Sequence, residues 1–387
     1  MTAAAGRAGT LPRALTVLIA PDSFKGSLSS VDVARALAAG WSRARGGDTV
    51  LLAPLGDGGE GTIHAIEAAG GWTRQSVVAA SPVRVDLTAL WLRSEDGQRA
   101  YVELAEASGL SRVSTAVRSP MEATTLGTGQ VLCAVLDAGI REITLGIGGS
   151  ATTDGGAGIL GALGAVDDGD RVDLSGLDER LGEVSLEIAC DVSNPLLGEH
   201  GAAATYGPQK GATPEQVAQL DARLAAWADR LEAATGRSER DTPGAGAAGG
   251  TGFGLLALTD RFRSLRLRPG VELVMEATGF DDKLGRSDLV ITGEGRIDAQ
   301  TAFGKTALGV ARRAAKADRP CIAVGGGVEP EGIAALGELG VTVVSVAERP
   351  GSVEDAMSAG AAPVERCGER LARLVGLGIA LGAESRA

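Results

Sequence analysis

Five stretches of this chain repeat one pattern, a short apolar, β-branched run that breaks at once into glycine and polar residues. They are LTVLIAPDSFKGS (15–27), TVLLAPLGDGGEGT (49–62), SDLVITGEGRID (287–298), RPCIAVGGGV (319–328) and GVTVVSVAE (340–348). A run that is apolar at successive positions suits a strand buried on both faces, which is the mark of a parallel sheet. Helical patterns separate the runs. SSVDVARALAAGWSRA (29–44) is one, opening with Ser29 and Asp32 in capping-box spacing. Strands alternating with helices predict an α/β fold in which ligands bind beyond the carboxyl ends of the strands. PDSFKGS, GDGGEG, GEGRID and GGG each follow a strand-like run, the one before GEGRID ending near Ile291. One sheet built from both chain ends would gather these loops along one edge.

The middle of the chain has its own rhythm. Strand candidates are RAYVELAEAS (99–108), REITLGIGG (141–149) and SLEIACDVSN (185–194). A long helix over 213–236 takes Thr213 as its cap, Pro214 at its first position and Gln216 to close the box. Val217, Leu220, Leu224, Trp227 and Leu231 recur at helical spacing and read as core packing. The expected organisation is therefore a discontinuous α/β domain, 1–76 and 284–387, with a second α/β domain, 77–283, inserted into it. No internal repeat is evident.

Composition narrows the function. The 387 residues carry a formal net charge of −12, which argues against a nucleic-acid groove or an anionic membrane surface as partner. Only His64 and His200 occur, and the four cysteines never form C-x-x-C. A zinc site is therefore not expected, reduced cytoplasmic thiols are, and acid–base chemistry falls to carboxylates. The early run LTVLIA is too short for a signal-peptide core and reads as a first buried strand. No stretch approaches the length of a membrane span.

The chemistry concentrates in glycine-rich loops. GIGGSATTDGGAG (146–158) has six glycines and Asp154 but no lysine. Glycines, hydroxyls and a helix start can hold an anion through backbone amides alone. GAGAAGGTGFGLLAL (244–258) has the same logic, a glycine run opening a helix. PLGDGGEGT (54–62) places Asp57 and Glu60 among four glycines, more than a tight turn needs, and TGEGRID repeats the theme with Glu294, Arg296 and Asp298. APDSFKGSLSS (20–30) puts Asp22, Ser23 and Lys25 where a strand turns into a helix, an arrangement that can either cap that helix or bind an anion. AQTAFGKT (299–306) has Ala299 where a nucleotide P-loop needs glycine, so Lys305 is expected to meet phosphate, if at all, as a point charge.

Taken in order, APDSFKGSLSS, PLGDGGEGT, TLGTGQ (125–130), GIGGSATTDGGAG, ACDVSNPLLG (189–198), YGPQKGA (206–212), GAGAAGGTGFG and ITGEGRIDAQTAFGKT resemble the bacterial glycerate kinase type I family over about residues 15–375. The resemblance implies a flavodoxin/Rossmann-like parallel-sheet domain made by both chain ends, an inserted α/β domain, and a site in the cleft. It also implies a cytoplasmic enzyme that phosphorylates D-glycerate with ATP and Mg2+, usually on the 2-hydroxyl. On that basis Asp57, Lys25 and Asp191 are expected to be catalytic. Asp22, Ser23, Lys25, Gly58 and Glu60 are expected at the substrate. Gly148, Gly149, Ser150, Thr152, Asp154, Gly249, Gly250 and Lys305 are expected at the nucleotide, with Lys210 a second source of charge. Asp191, Glu294 and Asp298 are the expected metal carboxylates. A 3-phosphoglycerate product, another small hydroxy acid as substrate, and a non-catalytic metabolite sensor are the competing readings. Monomer and homodimer are both compatible with the sequence.

Overall fold

The computed structural model describes residues 13–299, 301, 306–349 and 351–384. The chain forms two compact α/β units, one made of residues up to Pro54 and from Gly279 onward, the other of Leu55–Thr278.

The first unit is built on five parallel strands. Their order across the sheet is Thr49–Leu52, Thr16–Pro21, Leu289–Ile297, Cys321–Val328 and Thr342–Ser345. In chain order this is 2-1-3-4-5, the flavodoxin-like arrangement, whose switch point lies between the first and third strands. Val17–Pro21 are buried, as the unbroken apolar run requires. The helix Ser30–Ala44 begins at Ser29, whose hydroxyl accepts the Asp32 N–H, and packs against the helix Ala362–Glu384. That crossing is close enough that a Cβ on Gly40 would lie 1.8 Å from the Glu365 carbonyl oxygen.

Two expected loops of this unit are strand. Glu294 pairs with Gly325, Arg296 with Gly327 and Ile297 with Val328, so the third strand runs to Ile297 and the GGG lies inside the fourth. The parallel ladder continues through the glycines because they leave room above it: a Cβ on Gly326 would lie 2.7 Å from the Gly295 carbonyl oxygen.

The second unit has a mixed six-stranded sheet, ordered Ser264–Arg268, Ser185–Ala189, Glu142–Gly146, Arg99–Glu103, Asp86–Ser94 and Trp72–Ala80. The first four strands are parallel and the last two antiparallel. The antiparallel pair was not among the sequence candidates: its apolar runs, Val77–Ala80 and Ala89–Leu92, cover only part of each nine-residue strand, and mostly polar residues fill the rest. The long helix spans Pro214–Thr235, with the Thr213–Gln216 capping box formed in both directions.

The unit boundary falls after Pro54, not at residue 76, so the GDGGEG loop belongs to the second unit. The cause is local. The helix Thr62–Ala69 that follows the loop packs on the strands Trp72–Ala80 and Arg99–Glu103 and on the helix Gly270–Ala277. The Glu103 carboxylate also accepts N–H groups from the start of that helix.

Candidate active site

In the second unit the glycine-rich loops are wedged together. The strand Glu142–Gly146 feeds the loop that carries Gly148, Gly149, Ser150, Thr152 and Asp154. Gly155 N–H donates to the Gly249 carbonyl at 3.0 Å. Ala248, Gly249 and Gly250 all take left-handed backbone before the helix continues. A Cβ on Gly249 would stand 1.9 Å from the Thr152 carbonyl oxygen. Part of the glycine content that suggests ligand approach is thus demanded by one loop lying on the other.

The loop's missing lysine is Lys210. It sits on the short turn Pro208–Lys210 and is 2% exposed. Its Nζ donates to Ser150 Oγ at 2.9 Å and to the Thr152 carbonyl at 2.5 Å. Burial pulls its amine down to about 7, with the Asp154 charge opposing the shift. Lys305 lies outside the described residues.

Asp154 itself is turned into the protein. Its carboxylate accepts Thr125 N–H and Thr125 Oγ–H at 2.8 Å each, and the N–H groups of Gly156 and Gly158 at 3.2 Å. Those donors make it an anchor of the loop and not a free ligand contact. Trp227 donates its indole N–H to the Gly155 carbonyl at 3.0 Å, so the long helix also holds this loop. By contrast, Thr152 Oγ and Thr153 Oγ are buried with no hydrogen-bond partner among the described residues. A buried hydroxyl without a partner costs free energy, and two adjacent ones in a glycine loop suit a polar ligand such as a phosphate.

The acidic turn touches this loop directly. Gly148 N–H donates to the Gly58 carbonyl at 3.3 Å, and a Cβ on Gly148 would meet the Gly59 Cα at 2.5 Å. Asp57 caps its own turn, its Oδ1 accepting Gly59 N–H at 3.0 Å. Asp191 follows the strand Ser185–Ala189, and its Oδ1 accepts Gly270 N–H at 2.8 Å. Burial raises the Asp191 carboxyl above the usual range, Gly270 N–H opposes this, and the neighbouring Asp57 charge raises it further. A Cβ on Gly270 would lie 2.0 Å from the Asp57 carbonyl oxygen and 2.8 Å from Asp191 Oδ2, so glycine there lets the two acidic segments converge. Glu60 is exposed at the end of the turn.

Sequence reasoning missed Gly270 and Glu103. The first was marked only by a proline before a helix, the second only by an acid within an apolar strand.

In the first unit the remaining candidates sit at the switch point of the parallel sheet. Asp22 Oδ1 accepts Ser23 N–H at 2.6 Å, and Oδ2 accepts Thr306 Oγ–H at 2.6 Å, which ties the first loop to the helix Thr306–Lys316. A Cβ on Gly295 would lie 3.1 Å from the Phe24 Cα and 3.2 Å from the Lys25 backbone nitrogen, so the Asp22–Lys25 turn lies across the third strand. Glu294 is buried, and its Oε1 accepts Thr301 Oγ–H at 2.7 Å. The same Thr301 oxygen accepts Asp298 N–H at 3.1 Å, while Asp298 and Arg296 form an ion pair at 3.7 Å. Among the described residues no three His, Cys, Asp or Glu side chains converge as a metal cage.

The chain is similar to known proteins over nearly its whole length. The profile of the glycerate kinase family matches residues 17–376. Glycerate kinase of Halalkalibacterium halodurans is 42% identical over 374 residues, 92% of this chain and 97% of the relative. Glycerate 2-kinase of Escherichia coli is 36% identical over 94% of this chain and 99% of the relative. The crystal structure of a Salmonella typhimurium LT2 protein assigned as glycerate kinase 2 superposes with a TM-score of 0.80 at 39% identity, covering 95% of this chain and 99% of that one. With the family model matching nearly the whole described chain and relatives at about 40% identity over most of it, the chain belongs to the glycerate kinase family.

Proposed function

We propose that this protein transfers the terminal phosphoryl group of ATP to the 2-hydroxyl of D-glycerate, giving 2-phosphoglycerate. The observation that carries the reading is the contact between the acidic Asp57 turn and the glycine loop at Gly58 and Gly148. It puts a carboxylate beside a backbone cradle suited to phosphate. The name of the Escherichia coli relative, a glycerate 2-kinase, supports the choice of hydroxyl.

Phosphoryl transfer asks a protein mainly for positioning and charge neutralisation. Gly149, Ser150, Thr152 and Gly249 hold nucleotide phosphates through backbone N–H groups, with the unpartnered Thr152 hydroxyl as a further donor, while Gly148 and Gly250, whose N–H groups donate to the Gly58 and Gly246 carbonyls, let the cradle pack closely. Asp154 and Lys210 keep that loop in shape from within. Asp57 orients the attacking hydroxyl and takes up its proton, a role that falls to a carboxylate where no histidine is placed by motif. Ser23 and Lys25 recognise the substrate carboxylate, Asp22 holds their turn, and Gly58 and Glu60 complete the substrate set. Asp191, Glu294 and Asp298 are the carboxylates available to Mg2+, an ion that needs only one or two of them beside phosphate oxygens. Bound Mg2+ supplies neutralisation of the charge on the transferring group.

No helix of the described residues is long and apolar enough to cross a membrane. We place the protein in the cytoplasm, where its substrates are small molecules.

The test is purified protein with ATP, Mg2+ and D-glycerate, the product resolved as 2- or 3-phosphoglycerate. 2-Phosphoglycerate is expected. 3-Phosphoglycerate would keep the kinase and overturn the regiochemistry. Absence of product with nucleotide still bound would return the protein to another hydroxy acid or to a sensor.

A further inference from the structure

Glu103 ends the strand Arg99–Glu103 and is 1% exposed. A carboxylate so deeply buried needs strong partners, and both of its oxygens have one. Oε1 accepts Gly61 N–H at 2.8 Å, and Oε2 accepts Ile63 N–H at 2.9 Å. These donors belong to the start of the helix Thr62–Ala69, whose N-cap is Gly61 in left-handed backbone. A glycine cap has no side chain to satisfy the first free N–H groups of a helix. Glu103 supplies the cap instead, from a strand 40 residues further along the chain.

The capped end is also the end of the acidic turn. Residues 57–60 run straight into Gly61. Toward its start the turn is confined by Gly270, which leaves no room for a Cβ beside the Asp57 carbonyl, and by the Gly148 N–H on Gly58. At the far end the two hydrogen bonds to Glu103 hold it. Only a carboxylate offers an acceptor oxygen to each of two donors at this spacing. Glutamine would turn an NH2 donor toward one of them.

We propose that Glu103 is a positioning residue for Asp57, clamping the acidic turn by capping the following helix, so that turnover depends on it through Asp57. The inference rests on the role proposed for Asp57.

The test is a double-mutant cycle on kcat, comparing Glu103→Gln, Asp57→Asn and the pair, with KM for ATP and the thermal midpoint measured alongside. Glu103→Gln is expected to lower kcat about 10-fold or more with KM for ATP changed less than about 2-fold. The double variant is expected to be no slower than Asp57→Asn alone, because a displaced turn costs nothing once its carboxylate is gone. A residue that only supports the fold would shift the midpoint and leave no such coupling in kcat. Glu103→Asp keeps both acceptor oxygens on a shorter arm and is expected to retain more kcat than Glu103→Gln.

Three results overturn the proposal. They are a normal kcat in folded Glu103→Gln, losses that multiply in the double variant, and failure of both Glu103 variants to fold. Near-normal turnover in Asp57→Asn would remove the premise and the proposal with it. A slow Asp57→Asn beside a normal Glu103→Gln would remove the proposal alone.

Discussion

The Lys210 ammonium nitrogen lies 2.9 Å from Ser150 Oγ and 2.5 Å from the Thr152 carbonyl oxygen, beneath the glycine loop. In the proposed site, protonated Lys210 acts on a nucleotide phosphate through the loop it holds. Hydrogen bonds to a charged group contribute about 1.5–3 kcal/mol each. Lys210→Met should raise KM for ATP about 10-fold or more while leaving KM for glycerate near wild type. Steady-state titration of both substrates checks this, and an unchanged KM for ATP would free the loop from Lys210. Lys210→Arg should not rescue it, since a planar guanidinium fits a site built around a point donor poorly.

The same lysine sets a pH dependence. Native Lys210 titrates at about 7, against an ordinary 10.5. Between those values the unfolded chain holds a proton that the native state lacks, so this group makes stability rise with pH. The stability of wild type relative to Lys210→Met should climb from about pH 7 to pH 10.5 in denaturant titrations. Parallel curves for the two proteins would show that the amine is not held in its neutral form.

Gly249 should be the least replaceable glycine of the two loops. It has a φ of +70°, and a Cβ there would stand 1.9 Å from the Thr152 carbonyl oxygen, so an alanine meets both a backbone penalty and a collision. Gly236, at +73°, ends the long helix with nothing within 4 Å of its Cβ position and isolates the backbone penalty. Gly236→Ala should cost about 1 kcal/mol, and Gly249→Ala about 3 kcal/mol or more together with loss of nucleotide binding. Equal costs in chemical denaturation would mean the loops relax apart.

Asp57 and Asp191 should separate by role. Asp57→Asn should cut turnover about 10²-fold or more with nucleotide binding retained. Asp191→Asn should chiefly raise the Mg2+ concentration needed for half-maximal rate. A metal titration of both variants distinguishes them, and a shared loss of metal affinity would merge the two roles into one.

By itself the sequence determined those features that depend on neighbours in the chain. Continuous apolar runs marked parallel strands, buried at the centre of the sheet and part-exposed at its edges Thr49–Leu52 and Thr342–Ser345; Thr213 and Gln216 required a helix start, and the scarcity of histidine left proton transfer to carboxylates. The motif order was enough to identify the family. Strand ends were less legible: Glu294–Ile297 and Gly325–Gly327 read as loops because glycine marks turns, yet pairing with a neighbouring strand keeps both extended.

Tertiary structure alone decided which groups serve which. Lys210 meets Ser150 across 60 residues, and Glu103 meets Ile63 across 40. Gly249 is required by the Thr152 carbonyl, and Gly270 by Asp57 and Asp191. Such partners are chosen by the packing of loops at the ends of a common sheet. Local pattern records that a glycine, a lysine or an acid is present there, and only the folded chain selects the atom it faces.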